Sequence, residues 1–127
     1  MENILVEATD RTPQIQFDFA QNRFALRGES YPEDVAEFYG PKVRALAAHI
    51  GQLSGTRIEF HFELIYFNSS SAKVLIGLFD LLDEAAENNE VEIFWHYEAD
   101  DANMQELGEE FGEDVARASF RMVAKGA

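Results

Sequence analysis

The sequence has no cysteine and only three prolines among its 127 residues. Without cysteine, the chain forms no disulfide and offers no thiolate for catalysis or for a Cys-based zinc or iron–sulfur site. No apolar run approaches the roughly 18 residues that a membrane-spanning helix needs. Residues 1–7 also lack the basic start and long apolar stretch of a signal peptide. We therefore expect a cytoplasmic protein without membrane insertion.

Basic residues are scarce, with 10 Lys and Arg against 24 Asp and Glu and a net charge of −14. Nucleic-acid phosphates and anionic membranes repel such a surface, so neither is an expected partner. Apolar residues nevertheless make up 46% of the chain, which argues against disorder. The length suits one domain, and we place it over residues 1–127 with a core of about 12–120.

The first half of the chain alternates between strand and helix patterns. Apolar and polar residues alternate over 14–27 and predict a β-hairpin. Apolar residues then recur at helical spacing over 35–50. Ser30 and Glu33 have the spacing of a capping box for that helix, and Pro41 within it predicts a kink or a restart.

The second half continues the alternation. The pattern predicts a strand over 58–67, a helix over 68–88, a strand over 91–97, a helix over 102–111 and an extended tail over 118–123. The predicted order is β-β-α-β-α-β-α, followed by that tail. Strands that alternate with helices imply βαβ crossovers, and the opening hairpin makes the sheet mixed. The expected fold class is therefore α/β, with a mixed sheet and helices packed against it.

The junction between the third strand and the next helix is the most informative segment for function. Asn68, Ser69, Ser70 and Ser71 follow a buried strand and open a helix. The carboxyl end of a strand is where sites form in α/β sheets, and a helix N-terminus favours an anion such as phosphate. Taken alone, the pattern favours plain helix capping by Asn and Ser. Lys73, in the first turn, either pairs with a phosphate on Ser69 or extends to solvent.

The helix after this junction has an apolar arc of roughly 220° at about 100° per residue, wider than a one-sided surface helix needs. Ile76 and Phe79 must therefore be covered by a neighbouring element or be offered to a partner. Burial within the domain is the simpler alternative. Together with Tyr66 at the end of the strand, these two residues are candidate partner contacts.

The sequence supplies no catalytic or metal-binding motif. Its three histidines, His49, His61 and His96, lack metal-ligand spacing, so we predict no metal site. The acidic segment 98–101 lacks the spacing and glycine of a calcium loop. Ser69 lacks the G-x-S-x-G context of a hydrolase nucleophile, and no phosphate-binding glycine loop occurs. We therefore predict no catalytic residue and no cofactor.

The chain resembles two related groups of proteins at these motifs. The order strand-Asn-Ser-Ser-helix is similar to the anti-sigma-factor antagonist (STAS) pattern. Over residues 12–120 the chain more closely resembles the SiaC family of bacterial regulatory phosphoproteins. The matching segments are Thr12-Pro13, Gly28-Glu29-Ser30-Tyr31-Pro32-Glu33, Leu64 to Lys73, Asp80 to Ala85, Trp95-His96-Tyr97 and Glu109-Glu110-Phe111.

This resemblance implies a non-enzymatic switch with a STAS-like fold. It implies a Ser/Thr kinase that phosphorylates one hydroxyl, a metal-dependent phosphatase that removes the phosphate, and a diguanylate cyclase that the unmodified protein binds and activates. The cyclase would then raise cyclic di-GMP and promote biofilm formation or aggregation. The family's acceptor follows Asn, which places it at Ser69 here, with Asn68, Ser70, Ser71 and Lys73 around it.

Two alternatives remain open on the sequence. One is an anti-sigma-factor antagonist that binds an anti-sigma kinase. The other is a small α/β domain that holds a phosphorylated metabolite in a concave pocket beside Ser69. The sequence also leaves open whether Ser70 or Ser71 accepts phosphate, and it does not indicate the oligomeric state.

Overall fold

The structure, a computed structural model, describes residues 2–126. Within this range the chain forms six strands and three helices. In chain order they are β1 (Ile4–Val6), β2 (Gln14–Asp18), β3 (Arg23–Ser30), α1 (Val35–Ile50), β4 (Arg57–Phe67), α2 (Ser69–Ala85), β5 (Glu90–Glu98), α3 (Ala102–Glu113) and β6 (Ser119–Lys125). Among these elements, no helix is long and apolar enough to span a bilayer.

The strands form one mixed sheet whose spatial order follows the chain, β1-β2-β3-β4-β5-β6. β1, β2 and β3 pair antiparallel, and Asn22 takes a positive φ of 56° in the turn of the β2–β3 hairpin. From β3 to β6 all pairs are parallel. Because right-handed crossovers that all advance in one direction place their helices on the same side, α1, α2 and α3 share one face of the sheet.

That covered face holds the hydrophobic core. Phe60, Phe62 and Trp95 are fully buried there, and Phe62 stacks on Phe79 of α2 with ring centroids 4.9 Å apart. The Trp95 indole N–H donates to the carbonyl of Met104 in α3 over 3.1 Å. Strand periodicity places Trp95, Phe60 and Phe62 at core positions, and these contacts show that they are packing residues.

The opposite face, which we call the open face, carries polar and charged side chains. Ion pairs cross its strands, including Arg23–Glu59 at 3.0 Å and Lys125–Glu63 at 2.8 Å. At its centre, the His61 ring stacks on Phe94 with centroids 4.4 Å apart. No described helix packs on this face.

The predicted α/β class and mixed sheet are confirmed, but the element order needed two further strands. β1 has only three residues, all apolar, so it shows no alternation. β6 extends the predicted tail to Lys125 and pairs parallel to β5. The order is therefore β-β-β-α-β-α-β-α-β.

The predicted start of α1 was wrong. Asp34, rather than Ser30, caps the helix, and its side chain accepts from the backbone N–H of Glu37 over 3.0 Å. Ser30 instead ends β3 and is fully buried. Pro41 lies inside α1, which continues from Val35 to Ile50 without a restart.

The end of α2 is fastened to the segment before β6. Asp83 accepts from the backbone N–H groups of Ala116, Arg117 and Ala118, at 2.7 to 3.1 Å from its Oδ1. Burial alone would raise the pKa of this carboxyl, but the three N–H donors lower it below its usual value. The charged carboxylate is therefore the form that holds the two segments together.

Candidate functional site

Two of the motif segments of the sequence, residues 28–33 and 64–73, meet at the carboxyl ends of β3 and β4. Glu29 pairs with Tyr66 and Ser30 with Phe67, after a register shift that follows Gly28. Gly28 has a φ of +120°, a conformation that side chains rarely adopt. The parallel pairing of these strands therefore sets the residues that begin α2 beside the end of β3.

Asn68 is the N-cap of α2. Its side chain accepts from the backbone N–H of Ser71 over 2.9 Å, and its carbonyl accepts from the N–H of Ala72 over 2.9 Å. The capping role expected for Asn68 is thus confirmed. Ser69 and Ser70 occupy the first two helical positions, and both side chains are exposed.

Ser71 differs from its two neighbours because it is buried, with 1% of its surface exposed. The Ser30 hydroxyl lies 2.8 Å from that of Ser71 and also hydrogen-bonds the hydroxyl of Tyr39 in α1. Burial raises the pKa of Tyr39 to about 12, although its hydrogen bond with Ser30 acts in the opposite direction. We call Ser30, Tyr39 and Ser71 the hydroxyl cluster.

The hydroxyl cluster was not predicted from the sequence. The sequence pattern places Ser30 at a helix cap, and Ser30, the hydroxyl partner of Ser71, lies 41 positions away from it in the chain. Only the register of the parallel pair β3–β4 brings them together. The one available signal was the presence of both segments, residues 28–33 and 64–73, among the family-like motifs.

The candidate partner contacts separate into exposed and buried residues. Tyr66 is 50% exposed, with its ring 5.7 Å from that of Tyr31, and Ile76 is 49% exposed. Phe79 is only 5% exposed and stacks on Phe111. The assignment of Phe79 as a partner contact was therefore wrong: α3 and β6 cover this side of α2, so its ring belongs to the core.

A groove of about 680 Å³ runs between α1 and α2. Its walls are mostly apolar and include Val35, Val43, Val74 and Leu81, together with Ala36, Tyr39, Gly40, Arg44, Ala47, Ser70, Lys73 and Gly77. Ser70 and Lys73 line the groove, and Ser69 immediately precedes Ser70 at the start of α2. An added charge at this end of α2 would therefore lie next to an open apolar surface.

The histidines form a pair on the open face, away from the start of α2. His61 Nδ1 lies 2.9 Å from His96 Nε2, and burial lowers the pKa of both rings. His49 instead hydrogen-bonds the side-chain oxygen of Asn22 over 2.7 Å. Among residues 2–126, no three His, Asp or Glu side chains are grouped so that they could hold a metal ion.

The start of α2 thus combines features that suit an esterified hydroxyl. Ser69 is accessible, and the first-turn N–H groups and helix dipole favour a negative charge. Lys73, one turn later, is exposed and carries a positive charge. The buried hydroxyl cluster holds the start of α2 against β3 and α1, so a modification at Ser69 would alter the surface and leave the packing intact.

Comparison with known proteins gives consistent matches over almost the entire chain. The model of the SiaC family regulatory phosphoproteins matches residues 6–125. An uncharacterised protein of Pseudomonas aeruginosa (strain UCBPP-PA14) is 34% identical over 118 residues, which cover 91% of this chain and 92% of the relative.

Two solved structures from P. aeruginosa have the same fold. Apo-SiaC is 33% identical, with a TM-score of 0.82 over 99% of this chain and 100% of that chain. A chain of the complex between the diguanylate cyclase SiaD and its activator SiaC is 31% identical, with a TM-score of 0.89 over 96% of this chain and 99% of that chain.

Proposed function

The chain belongs to the SiaC family of regulatory phosphoproteins, and from this premise we propose that it binds and activates a diguanylate cyclase until Ser69 is phosphorylated. In P. aeruginosa, SiaC is the activator of the cyclase SiaD and forms a complex with it. The observation that carries the proposal is the exposed Ser69 hydroxyl, directly after the N-cap Asn68 and directly before Ser70, which lines the apolar groove. The chain acts as a binding partner, and the chemistry of cyclic di-GMP synthesis belongs to the cyclase.

Ser69 is the phosphate acceptor in this proposal. A Ser/Thr kinase transfers the γ-phosphoryl group of ATP to the Ser69 hydroxyl, and ADP and a proton leave. A metal-dependent protein phosphatase hydrolyses the ester and releases inorganic phosphate. Burial of Ser71 in the hydroxyl cluster supports this choice, because a kinase cannot reach a side chain that is 1% exposed without unfolding the helix start.

Phosphorylation acts locally in this mechanism. A phosphate adds a charge of about −1.5 to −2, a small fraction of the −14 that the chain already carries. Beside the groove, however, the same dianion has to be desolvated when the cyclase binds. An unpaired buried charge costs several kcal/mol, and a change from almost fully bound to almost fully free needs about 5.5 kcal/mol.

The groove favours a protein partner over a phosphorylated metabolite. A metabolite site gathers several polar groups around the phosphate, whereas the walls between α1 and α2 are mostly aliphatic. Outside the groove, Tyr66 and Ile76 are the half-exposed apolar side chains at the end of β4 and on α2. We therefore propose that the groove, together with Tyr66 and Ile76, contacts the cyclase.

The test combines phosphorylation with a cyclase assay. The chain is incubated with its Ser/Thr kinase and ATP, the phosphate is mapped by mass spectrometry, and cyclic di-GMP production by the purified cyclase is measured. We expect one phosphate, on Ser69, and at least a roughly 100-fold loss of cyclase affinity. Ser69→Ala should activate the cyclase whether or not kinase is present.

Ser70→Ala is the matched control, since it removes an equally exposed hydroxyl one position later. This variant should still be phosphorylated and still lose activation. A phosphate mapped to Ser70, or a Ser69→Ala protein that the kinase still inactivates, would disprove the role of Ser69. Failure of the unmodified chain to stimulate the cyclase at all would disprove activation itself.

A further inference from the structure

Apart from Tyr66 at its edge, the proposed function does not use the open face of the sheet. Four parallel strands, β3 to β6, expose one side there, although parallel sheets are normally covered on both faces. The start of α2 and the groove belong to the helical side. A partner on the open face would therefore leave the groove accessible.

The open face is almost neutral in a strongly acidic chain. Its strands present five basic side chains and seven acidic ones, in a chain with a net charge of −14. The basic side chains are Arg23, Arg27, Arg57, Arg121 and Lys125, and the acidic ones are Asp18, Glu29, Glu59, Glu63, Glu90, Glu92 and Glu98. The charges on this face therefore add little repulsion when two copies bring these faces together.

The exposed aliphatic side chains of the strands lie at opposite ends of this face. Leu5 of β1 is 64% exposed and lines a hollow of about 420 Å³ beside Gln16 and Arg23. Ile65, at the register shift of β4, is 69% exposed and lines a hollow of about 450 Å³ beside Tyr97. Each hollow therefore has one protruding aliphatic side chain at its border.

From this arrangement we propose that two copies of the chain associate through their open faces about a two-fold axis between the two hollows. About this axis, Leu5 of each copy lies against the hollow that is bordered by Ile65 of the other copy. The two copies therefore use the same surface, as a self-complementary interface requires. Six strands about 4.8 Å apart, overlapping over about six residues of about 3.3 Å each, give a face of roughly 570 Å² in projection. This projection is of the same order as the roughly 800 Å² per partner that a standard interface buries.

The test is the mass of the full chain in solution as a function of concentration. Sedimentation equilibrium from about 1 μM to about 1 mM should show the average mass rise from 14.4 kDa towards twice that value. Ile65→Lys should weaken this association at least about tenfold, because it places a charge in the interface. A wild-type mass of 14.4 kDa over the whole range would overturn the proposal.

Ile76→Lys is the matched control, because it makes the same substitution at a half-exposed isoleucine on the helical side. It should associate like the wild type, and a dimer that Ile65→Lys leaves unchanged would overturn the assignment to the open face. Circular dichroism and a melting temperature confirm that each variant is folded. If Ile65→Lys proves unstable, Leu5→Lys serves as the second interface variant with the same expected loss.

The proposed dimer and the proposed switch can fail separately. The mass measurement needs neither kinase nor cyclase, and the Ser69→Glu variant should associate as the wild type does. Loss of association in that variant would contradict the placement of the two surfaces on opposite sides of the sheet.

Discussion

The two faces of the sheet are formed by the same strands, but one carries mainly buried apolar side chains and the other mainly polar and charged ones. On the covered face, Phe60 and Phe62 are 0% exposed, whereas His61 between them remains partly accessible on the open face. The difference follows from the direction of the three crossovers, which puts every described helix on the same side. A single alternating strand such as β4 therefore contributes to a packed core on one face and to an accessible surface on the other.

The two faces also contribute differently: the covered face stabilises the fold, and the open face is available for binding. The aromatic core of the covered face gains from full burial and dense packing. Ion pairs on the open face are partly hydrated, and such pairs contribute little to stability. We therefore expect substitutions on the covered face to reduce stability strongly and substitutions on the open face to reduce it little.

The largest effect on stability is expected when a phenylalanine of the covered face is replaced, and a phenylalanine of the open face provides the comparison. Phe62→Ala removes a fully buried ring that packs on Phe60 and Phe79, and it should reduce the free energy of unfolding by about 3–5 kcal/mol. Phe94→Ala removes a partly exposed ring from the neighbouring strand and should cost clearly less. Urea denaturation of both variants measures the difference, and equal losses would contradict the division between the faces.

An intermediate effect is expected at the hydroxyl cluster. Ser30 and Ser71 are the buried polar side chains of the described core. Ser30→Ala leaves the hydroxyls of Tyr39 and Ser71 without this partner and should cost about 1–3 kcal/mol. Ser70→Ala, at an exposed position in the same helix turn, should stay within about 0.5 kcal/mol. Thermal or urea unfolding checks this pair, and a neutral Ser30→Ala would show that the cluster is not stabilising.

The smallest expected effect is a dependence on pH at the open face. The pKa values of His61 and His96 are lowered from 6.5, mainly by burial. The unfolded chain therefore binds more protons than the folded chain as the pH falls below about 6.5, and stability decreases there. The melting temperature should be constant from pH 7 to pH 8 and lower at pH 5.5.

A matched variant assigns that pH effect to the histidine pair. His96→Gln removes one of the two titrating rings and should make the melting temperature less sensitive to pH in this window. His49, for comparison, lies near Asn22 and away from the pair. An unchanged pH profile in His96→Gln would assign the effect to other groups.

Local pattern was sufficient to predict much of the fold. Alternation identified β2 to β5, because each of these strands has one apolar face and at least five residues. β1 lacked enough residues to alternate, and the cap of α1 was misassigned because Ser30 and Asp34 both precede the helix. The burial of Ser71 and Phe79 depends on packing partners from distant segments, which local periodicity does not contain.

The helix that carries Ser69 is clamped at both ends. Near its start, Ser71 is tied to the end of β3, and near its finish, Asp83 holds three successive amides of residues 116–118. Sliding or rotation of this helix along its axis would break both sets of bonds together. If Ser69 is the phosphate acceptor, as proposed, its phosphorylation would therefore act without a shift of α2, and the rates of the proposed kinase and phosphatase would set the response time of the switch.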